Sequence, residues 1–281
     1  MKLLRYGKVG AEKPAILDAQ GRIRDLSGIV ADFAGPALGR ESLSRIKALD
    51  FGSLPLVEGN PRIGAPVGIV PKFFGIGLNY RDHAAETGQP IPEVPIVFAK
   101  ASSCVSGPYD PILQPKGFDR MDFEVELAVV IGERAKNVSE AEALNHVAGY
   151  SICDDVSERS LQKGGPGEWI KAKSYDSFGP LGPWLVTTDE IPDPQSLDLA
   201  LDLNGVRMQT GNTSTMIFTV AQLVSYISKY MTLVPGDVIT TGTPPGVGMA
   251  RNPRVFLKAG DKLRLAISGL GEQRLKVVAE A

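Results

Sequence analysis

Phe123-Glu124-Val125-Glu126-Leu127-Ala128-Val129-Val130-Ile131, closed by Gly132, reads as a β-strand. Side chains alternate faces along a strand, so Glu124 and Glu126 point one way while Phe123, Val125 and Leu127 point the other. Two carboxylates side by side repel and are costly to desolvate unless a hard cation such as Mg²⁺ or Ca²⁺ lies between them. Glu124 and Glu126 are therefore candidate metal ligands. On an E-x-E pair alone, a solvated strand face that happens to carry two acids is the commoner explanation. Neighbouring segments must decide between the two.

Working outward, Gly149–Cys153 reads as a strand leading into Asp154-Asp155, where one aspartate could supply a third oxygen ligand and the other an N-cap. Arg159 and Gln162 follow and share a face if that segment is helical, so both could aim at one anion. Upstream, Phe73–Leu78 is a buried-type strand running into a short helix, Asn79–Glu86, on which His83 and Glu86 stand three residues apart. A carboxylate on one imidazole nitrogen fixes the tautomer and leaves the other nitrogen to take a proton from water, although a surface ion pair fits the spacing equally well. His146, the other of two histidines, lies in a helix with an expected capping box from Ser139 to Glu142 and is the weaker candidate. Lys100 ends the strand Pro95–Lys100, and Lys173 lies in the Gly- and Pro-rich stretch 166–183; solvated lysines are the usual reading of both. Gly242-Thr243-Pro-Pro-Gly246-Val-Gly248 is a loop able to offer N–H groups and a hydroxyl to a carboxylate. It is no Walker loop, and Gly75-Ile-Gly77 lacks the third glycine of a dinucleotide fingerprint.

The chain has 281 residues, enough for one large domain or two unequal ones, and its net charge of −2 offers no basic field for nucleic acid. With 31 Gly and 21 Pro, a β-rich fold with tight turns is favoured over a helical bundle. No leader pattern or membrane-spanning apolar run is apparent, so a cytoplasmic protein with no membrane association is expected, with Cys104 and Cys153 as reduced, buried thiols. Residues 1–70 contain a short strand, a hairpin turning at Gly21 and a helix near Glu41–Leu49. A boundary near residue 70 is expected, where Pro55, Pro61, Pro66 and Pro71 break the periodicity. Farther on, Asn204-Gly205 marks a hairpin, and Thr219–Met231 an amphipathic helix with Val220, Leu223, Val224 and Ile227 facing the core.

Gly77–Glu86, Phe123–Glu126, Asp155–Gln162, the run Lys173-Ser-Tyr-Asp176-Ser-Phe-Gly-Pro and Pro235–Gly248, taken in order, resemble the fumarylacetoacetate hydrolase family over roughly residues 70–281. The resemblance implies a mainly β fold with some α structure, a mixed β-sandwich roll over 71–281 with a small N-terminal α/β domain over 1–70, and a homodimer or higher homo-oligomer. It implies that Glu124, Glu126 and Asp155 hold Mg²⁺ or Mn²⁺, that His83 and Glu86 orient and deprotonate water, and that Lys173 stands near developing negative charge. Arg159, Gln162 and Thr243 match substrate-contacting positions, to which Tyr80 and Lys100 are added. Where family members often show Ser-Ala-Arg-Asp, this chain has Ser157-Glu158-Arg159-Ser160, so specificity does not transfer directly. The expected activity is metal-dependent cleavage of a C–C bond in a small 2,4-dioxo acid, giving pyruvate and a second acid. The leading substrate is a 2,4-diketo-3-deoxy-L-rhamnonate or fuconate type of sugar acid, or another acylpyruvate. Oxaloacetate decarboxylation and dienoate isomerisation or hydration on the same site are the alternatives, and a non-catalytic β-rich protein with structural Ca²⁺ the remote one.

Overall fold

A computed structural model of the chain describes residues 1–164 and 169–280. Of the stretch Phe123–Ile131, Val125–Ile131 forms the strand, which is central and buried on both faces rather than half-exposed. Val147–Asp154 runs antiparallel to it on one side, pairing Val125 with Asp154, and Val238–Thr240 on the other, pairing Ala128 with Thr240. Phe73–Gly77 continues the sheet parallel to Val238–Thr240, and Ile96–Lys100 closes that edge. A second sheet, ordered Val206–Asn212, Asp198–Leu203, Lys262–Ile267, Gly271–Ala279 and Ile112–Gln114, packs on the first. One hydrophobic cluster, including Phe123, Val125, Leu127, Leu201 and Leu265, fills the space between them. The result is a mixed, mostly β fold with few helices, as expected from the abundance of turn residues.

Residues 1–70 do not close a sheet of their own. Lys2–Tyr6 pairs with Gly179–Thr187 of the main sheet, aligning Leu3 with Leu185, and carries the hairpin of Lys13–Leu17 and Ile23–Asp25 outward. Arg62, paired with Glu12 and Asp110, adds an ionic tie between this segment and the rest. A unit bounded near residue 70 is therefore continuous with the larger one, because sheet edges seek partners for their unpaired N–H and C=O groups.

Local expectations fare unevenly. Asn204 (φ 53°) and Gly205 (φ +81°) make the left-handed pair that a two-residue hairpin needs. Val220–Tyr230 is capped reciprocally by Thr219 and Gln222, and Val220, Leu223, Val224 and Ile227 are buried. The capping box at Ser139 does not form: the helix is only Glu140–Ala143, and the Glu142 carboxylate accepts from the Asn145 amide instead. Of the stretch 166–183, the first residues lie outside those described; Trp169–Lys173 is a short helix.

Candidate active site

Sheet register brings the chemistry to one edge. Phe73–Gly77 and Val238–Thr240 end there in parallel, Val147–Asp154 also ends there, and Val125–Ile131 begins there. Glu124 just precedes its strand; its amide donates to Asp154 Oδ1 and its carbonyl accepts from the Asp155 amide, 2.9 Å each. That pairing holds Asp155 against the glutamates. One oxygen from each of Glu124, Glu126 and Asp155 falls within 4.8 Å of the others, and all three residues are buried.

The cations around this triad are buried too, which corrects the expectation of solvated lysines. Lys173 Nζ donates to Glu124 Oε2 (2.7 Å), Asp155 Oδ2 (2.6 Å) and Ser157 Oγ (2.7 Å). Lys100, 3% exposed, donates to Asp155 Oδ1 at 2.5 Å and to the carbonyls of Lys173 and Phe178. Arg159 Nη2 donates to Glu124 Oε1 at 2.6 Å, its Nε to Asp122 Oδ2 at 2.8 Å and its Nη1 to Gln162 Oε1 at 2.7 Å. Arg159 and Gln162 thus share a face as expected, but they bind each other, and Arg159 binds Glu124 of the triad.

Burial alone would raise the Glu124 carboxyl, yet Arg159 and Lys173 outweigh it and hold it well below the usual range. Glu126 goes the other way. Burial, with Asp155 and Glu124 beside it, pushes its carboxyl well above the usual range, against a weaker pull from Lys173 and the Gly242 N–H. Burial is also the main cause that pushes Asp154 up to about 7. Three hard oxygen donors in a buried, acid-rich cluster fit a divalent cation such as Mg²⁺ or Mn²⁺.

His83 and Glu86 form the dyad expected from their spacing: Nδ1 lies 2.9 Å from Glu86 Oε2 on the helix Arg81–Glu86. Glu86 Oε1 accepts from the Gly246 amide at 2.8 Å, and Glu126 Oε2 from the Gly242 amide at 2.8 Å. The Gly/Pro-rich loop does present N–H groups to carboxylates, but these are the protein's own. The Thr243 hydroxyl donates to the Val125 carbonyl and accepts from Gln209, although the residue still lines the cavity. His146 sits before Val147–Asp154 and Asp155 just after it, so a strand length of roughly 26 Å separates them.

The dyad and the triad face one cavity of about 500 Å³, which Arg159, Gln162, Lys173 and Thr243 also line. Tyr80 and Lys100 are not among its lining residues. Tyr80 is fully buried behind it, its phenol pushed well up by burial and by Glu126 and Asp82. Its hydroxyl has no partner among the described residues. Phe98 and Trp169 form an apolar wall, and two glycines make room for them. A Cβ on Gly75 would lie 2.2 Å from the Phe98 ring, and one on Gly77 2.6 Å from that of Trp169. That is what Gly75-Ile-Gly77 is for.

Three residues escaped the sequence reading. Asp122 anchors Arg159 and accepts from the amides of Gly248 and Met249; Gln209 bridges Val125, Thr243 and Pro244; Glu158 caps the helix Arg159–Lys163. Asp122 alone left a signal, since it stands two residues before Glu124 in the same alternation.

Residues 72–278 match the model of the fumarylacetoacetate (FAA) hydrolase C-terminal domain. The chain belongs to the fumarylacetoacetate hydrolase family. It is 63% identical over 274 residues, 97% of either chain, to a Burkholderia ambifaria protein named "Putative hydrolase". Among solved structures it is similar to a fumarylacetoacetate hydrolase from Exiguobacterium antarcticum, with a TM-score of 0.86 and 34% identity, and to 5-carboxymethyl-2-hydroxymuconate delta-isomerase from Mycobacterium smegmatis, with 0.77 and 31%. Maleylpyruvate hydrolase from Sphingobium sp. SYK-6, in complex with manganese(II) and pyruvate, gives 0.82 and 27%. In all three cases the whole of both chains is covered. Members of the fumarylacetoacetate hydrolase family thus include hydrolases and isomerases.

Proposed function

We propose that this protein is a divalent-metal-dependent hydrolase that cleaves the C3–C4 bond of a 2,4-dioxo acid, releasing pyruvate and a second carboxylic acid. The observation that carries the reading is the single cavity holding both a buried carboxylate triad and a His–Glu dyad. A structural cation site has no use for the dyad. Glu124, Glu126 and Asp155 would hold the cation, which when bound would supply Lewis acidity and a template for the substrate's acidic end.

His83, with Nδ1–H held by Glu86, has Nε2 free to take a proton from water. The hydroxide adds to C4. The C3–C4 electron pair then leaves as the enolate of pyruvate, which is protonated at C3, while C4 becomes the new carboxylic acid. Lys173 and Arg159 hold Glu124 ionised and in place, and Lys173, which bonds both Glu124 and Asp155 and lines the cavity, is placed to stabilise an oxyanion.

Manganese and pyruvate in the similar maleylpyruvate hydrolase support the metal and the product. The delta-isomerase neighbour supports a second reading, in which the same site makes and reprotonates an enolate without adding water. For the distal half of the substrate, the sequence resemblance favours a diketo-deoxy sugar acid. The test is a panel of acylpyruvates and diketo-deoxy sugar acids with Mg²⁺ or Mn²⁺, monitoring pyruvate. Pyruvate release from at least one, abolished by His83→Ala, is expected. Pyruvate from none refutes the hydrolase, and full turnover by His83→Ala favours chemistry without activated water.

A further inference from the structure

One loop grips the acids of the site by their oxygens. Its Gly242 amide donates to Glu126, its Gly246 amide to Glu86 at 2.8 Å, and its Gly248 and Met249 amides to Asp122. Both ends have further anchors: Thr243 donates to the Val125 carbonyl, Gln209 donates to the Pro244 carbonyl, and Asp122 in turn holds Arg159. The middle has one. Among the described residues, positions 245–247 bond outward only through Gly246, whose amide meets Glu86 and whose carbonyl accepts from Arg251 Nε at 3.1 Å; the Val247 carbonyl turns inward to the Ala250 amide. Arg251 Nη2 donates to the Met208 carbonyl on the strand Val206–Asn212, so one planar guanidinium edge ties the loop to the second sheet. The fit there is close, since Gly246 sits at φ +106° and a Cβ on it would lie 2.1 Å from that Met208 oxygen. A glycine in this region has wide conformational freedom, so its orientation is set by what holds it from outside.

We propose that Arg251 is a positioning residue for water activation: it fixes Gly246, Gly246 fixes the Glu86 carboxylate, and that carboxylate keeps the His83 proton on Nδ1. Glu86 ends a helix of six residues and is partly exposed, with Oε1 on the Gly246 amide and Oε2 on His83 Nδ1 at 2.9 Å. Released from Gly246, the carboxylate turns about its side-chain torsions and holds the imidazole less firmly. An ionised acceptor on Nδ1 keeps the proton there and leaves the Nε2 lone pair for water; without it the two tautomers mix, and part of the population presents an N–H to the water instead. Arg251 is not among the residues that line the cavity, and its side-chain bonds go to the two carbonyls. The proposal rests on the hydrolase reading only for what the dyad does with water; the bonds that fix its tautomer stand apart from it.

With two histidines in the chain, long-range proton–nitrogen NMR spectra of histidine-labelled protein read the tautomer directly, and His146→Gln assigns His83. Spectra are taken at about pH 8.5, well above the ordinary imidazole value of about 6.5, so that tautomers rather than charge states are compared. Wild-type protein is expected to show His83 protonated at Nδ1. Arg251→Met should move both ring nitrogens towards the shifts of Glu86→Ala, which removes the acceptor outright, and Arg251→Lys, a point donor in place of a fork, should fall between Arg251→Met and wild type. On a substrate that releases pyruvate, kcat of Arg251→Met should fall about tenfold and that of Arg251→Lys by less. KM and the calorimetric Kd for Mn²⁺ should stay within about twofold, because the loop bonds the triad through Gly242 and not through Gly246. Arg251→Lys keeps the charge and the aliphatic stem, so its spectrum decides if Arg251→Met does not fold. Pyruvate from no substrate, with the tautomer shift present, refutes the hydrolase and leaves the role of Arg251 standing. His83 shifts identical to wild type in the folded variants, an unchanged kcat, or a loss of Mn²⁺ affinity as large as the loss of kcat overturns it.

Discussion

Asp122→Asn is the sharpest test of how the site is held, because the substitution is isosteric and changes only the charge and the hydrogen-bond chemistry. Asp122 is fully buried, and both of its oxygens are doubly engaged. Oδ1 accepts from the amides of Phe123 (2.9 Å) and Gly248 (2.7 Å), while Oδ2 accepts from Arg159 Nε (2.8 Å) and the Met249 amide (3.0 Å). Asparagine turns one oxygen into an NH₂ group. Whichever way the amide is flipped, that NH₂ meets two donors, so no orientation restores the set.

Two donors are stranded in a buried site, and where they include Arg159 a charge loses one of its partners. Breaking a buried pair in this way costs about 3–5 kcal/mol, and hydrogen-bond counting leads to the same range. At about 2 °C per kcal/mol for a chain of this size, Tm falls by roughly 6–10 °C. Urea denaturation of the two proteins, compared at equal m-value, measures the difference directly. Since Arg159 also holds Glu124, the variant should require more Mn²⁺ for half-maximal thermal stabilisation. A loss under about 1 kcal/mol with unchanged Mn²⁺ dependence would refute the idea that Asp122 organises the site through Arg159.

Metal binding itself is expected to raise Tm, since a ligand present at a hundredfold its Kd contributes about 2.7 kcal/mol; Mn²⁺ titration of wild-type and Glu126→Gln proteins in a thermal melt should show the shift in the first and little in the second. Glu86→Gln weakens the acceptor on His83 Nδ1 in a half-exposed dyad, so pyruvate release should drop by about 10²-fold or more while the melting temperature stays nearly fixed. Asp189 pairs with Lys47 and Thr187. Burial alone would raise its carboxyl, but these partners bring it down to about 2. A carboxyl depressed in the folded state contributes stability above its unfolded value near 3.9 that is lost as pH falls towards 2. Because the pair is exposed, the contribution is well under about 1 kcal/mol, and acid titration of Asp189→Asn should show a correspondingly shallower loss than wild-type.

The parts of the site that sequence could disclose are those fixed by local geometry. Glu124 and Glu126 share a side because a strand alternates, and His83 meets Glu86 because a helix brings positions three apart together. Asp122 obeys the same alternation as the glutamates, but an acid without a cation nearby has no visible purpose, and Arg159 lies thirty-seven residues away. The lysines were misjudged for a related reason. Whether Lys100 or Lys173 is buried depends on carboxylates delivered by other strands, and nothing at either position in the chain announces them. The pairing of Lys2–Tyr6 with Gly179–Thr187 is equally non-local, as is the fit of the Phe98 and Trp169 rings over Gly75 and Gly77.

Electrostatic balance is where these non-local pieces matter most. Read as a sequence, the Asp122 to Glu126 stretch is simply acidic. Folded, Asp122 and the triad face Arg159, Lys173 and Lys100, four carboxylates against three cations in a buried cluster. Glu126 is the one member with no side-chain cation bonded to it among the described residues, and burial, with Asp155 and Glu124 beside it, pushes its carboxyl up, so its negative charge is the least supported of the four. A divalent cation would turn that single negative excess into a single positive one, which one substrate carboxylate offsets. The lysines and the arginine therefore do more than hold the acids in place: they set the charge of the pocket floor so that the proposed metal and a monoanionic headgroup together would come close to neutral, the least costly state for a buried site.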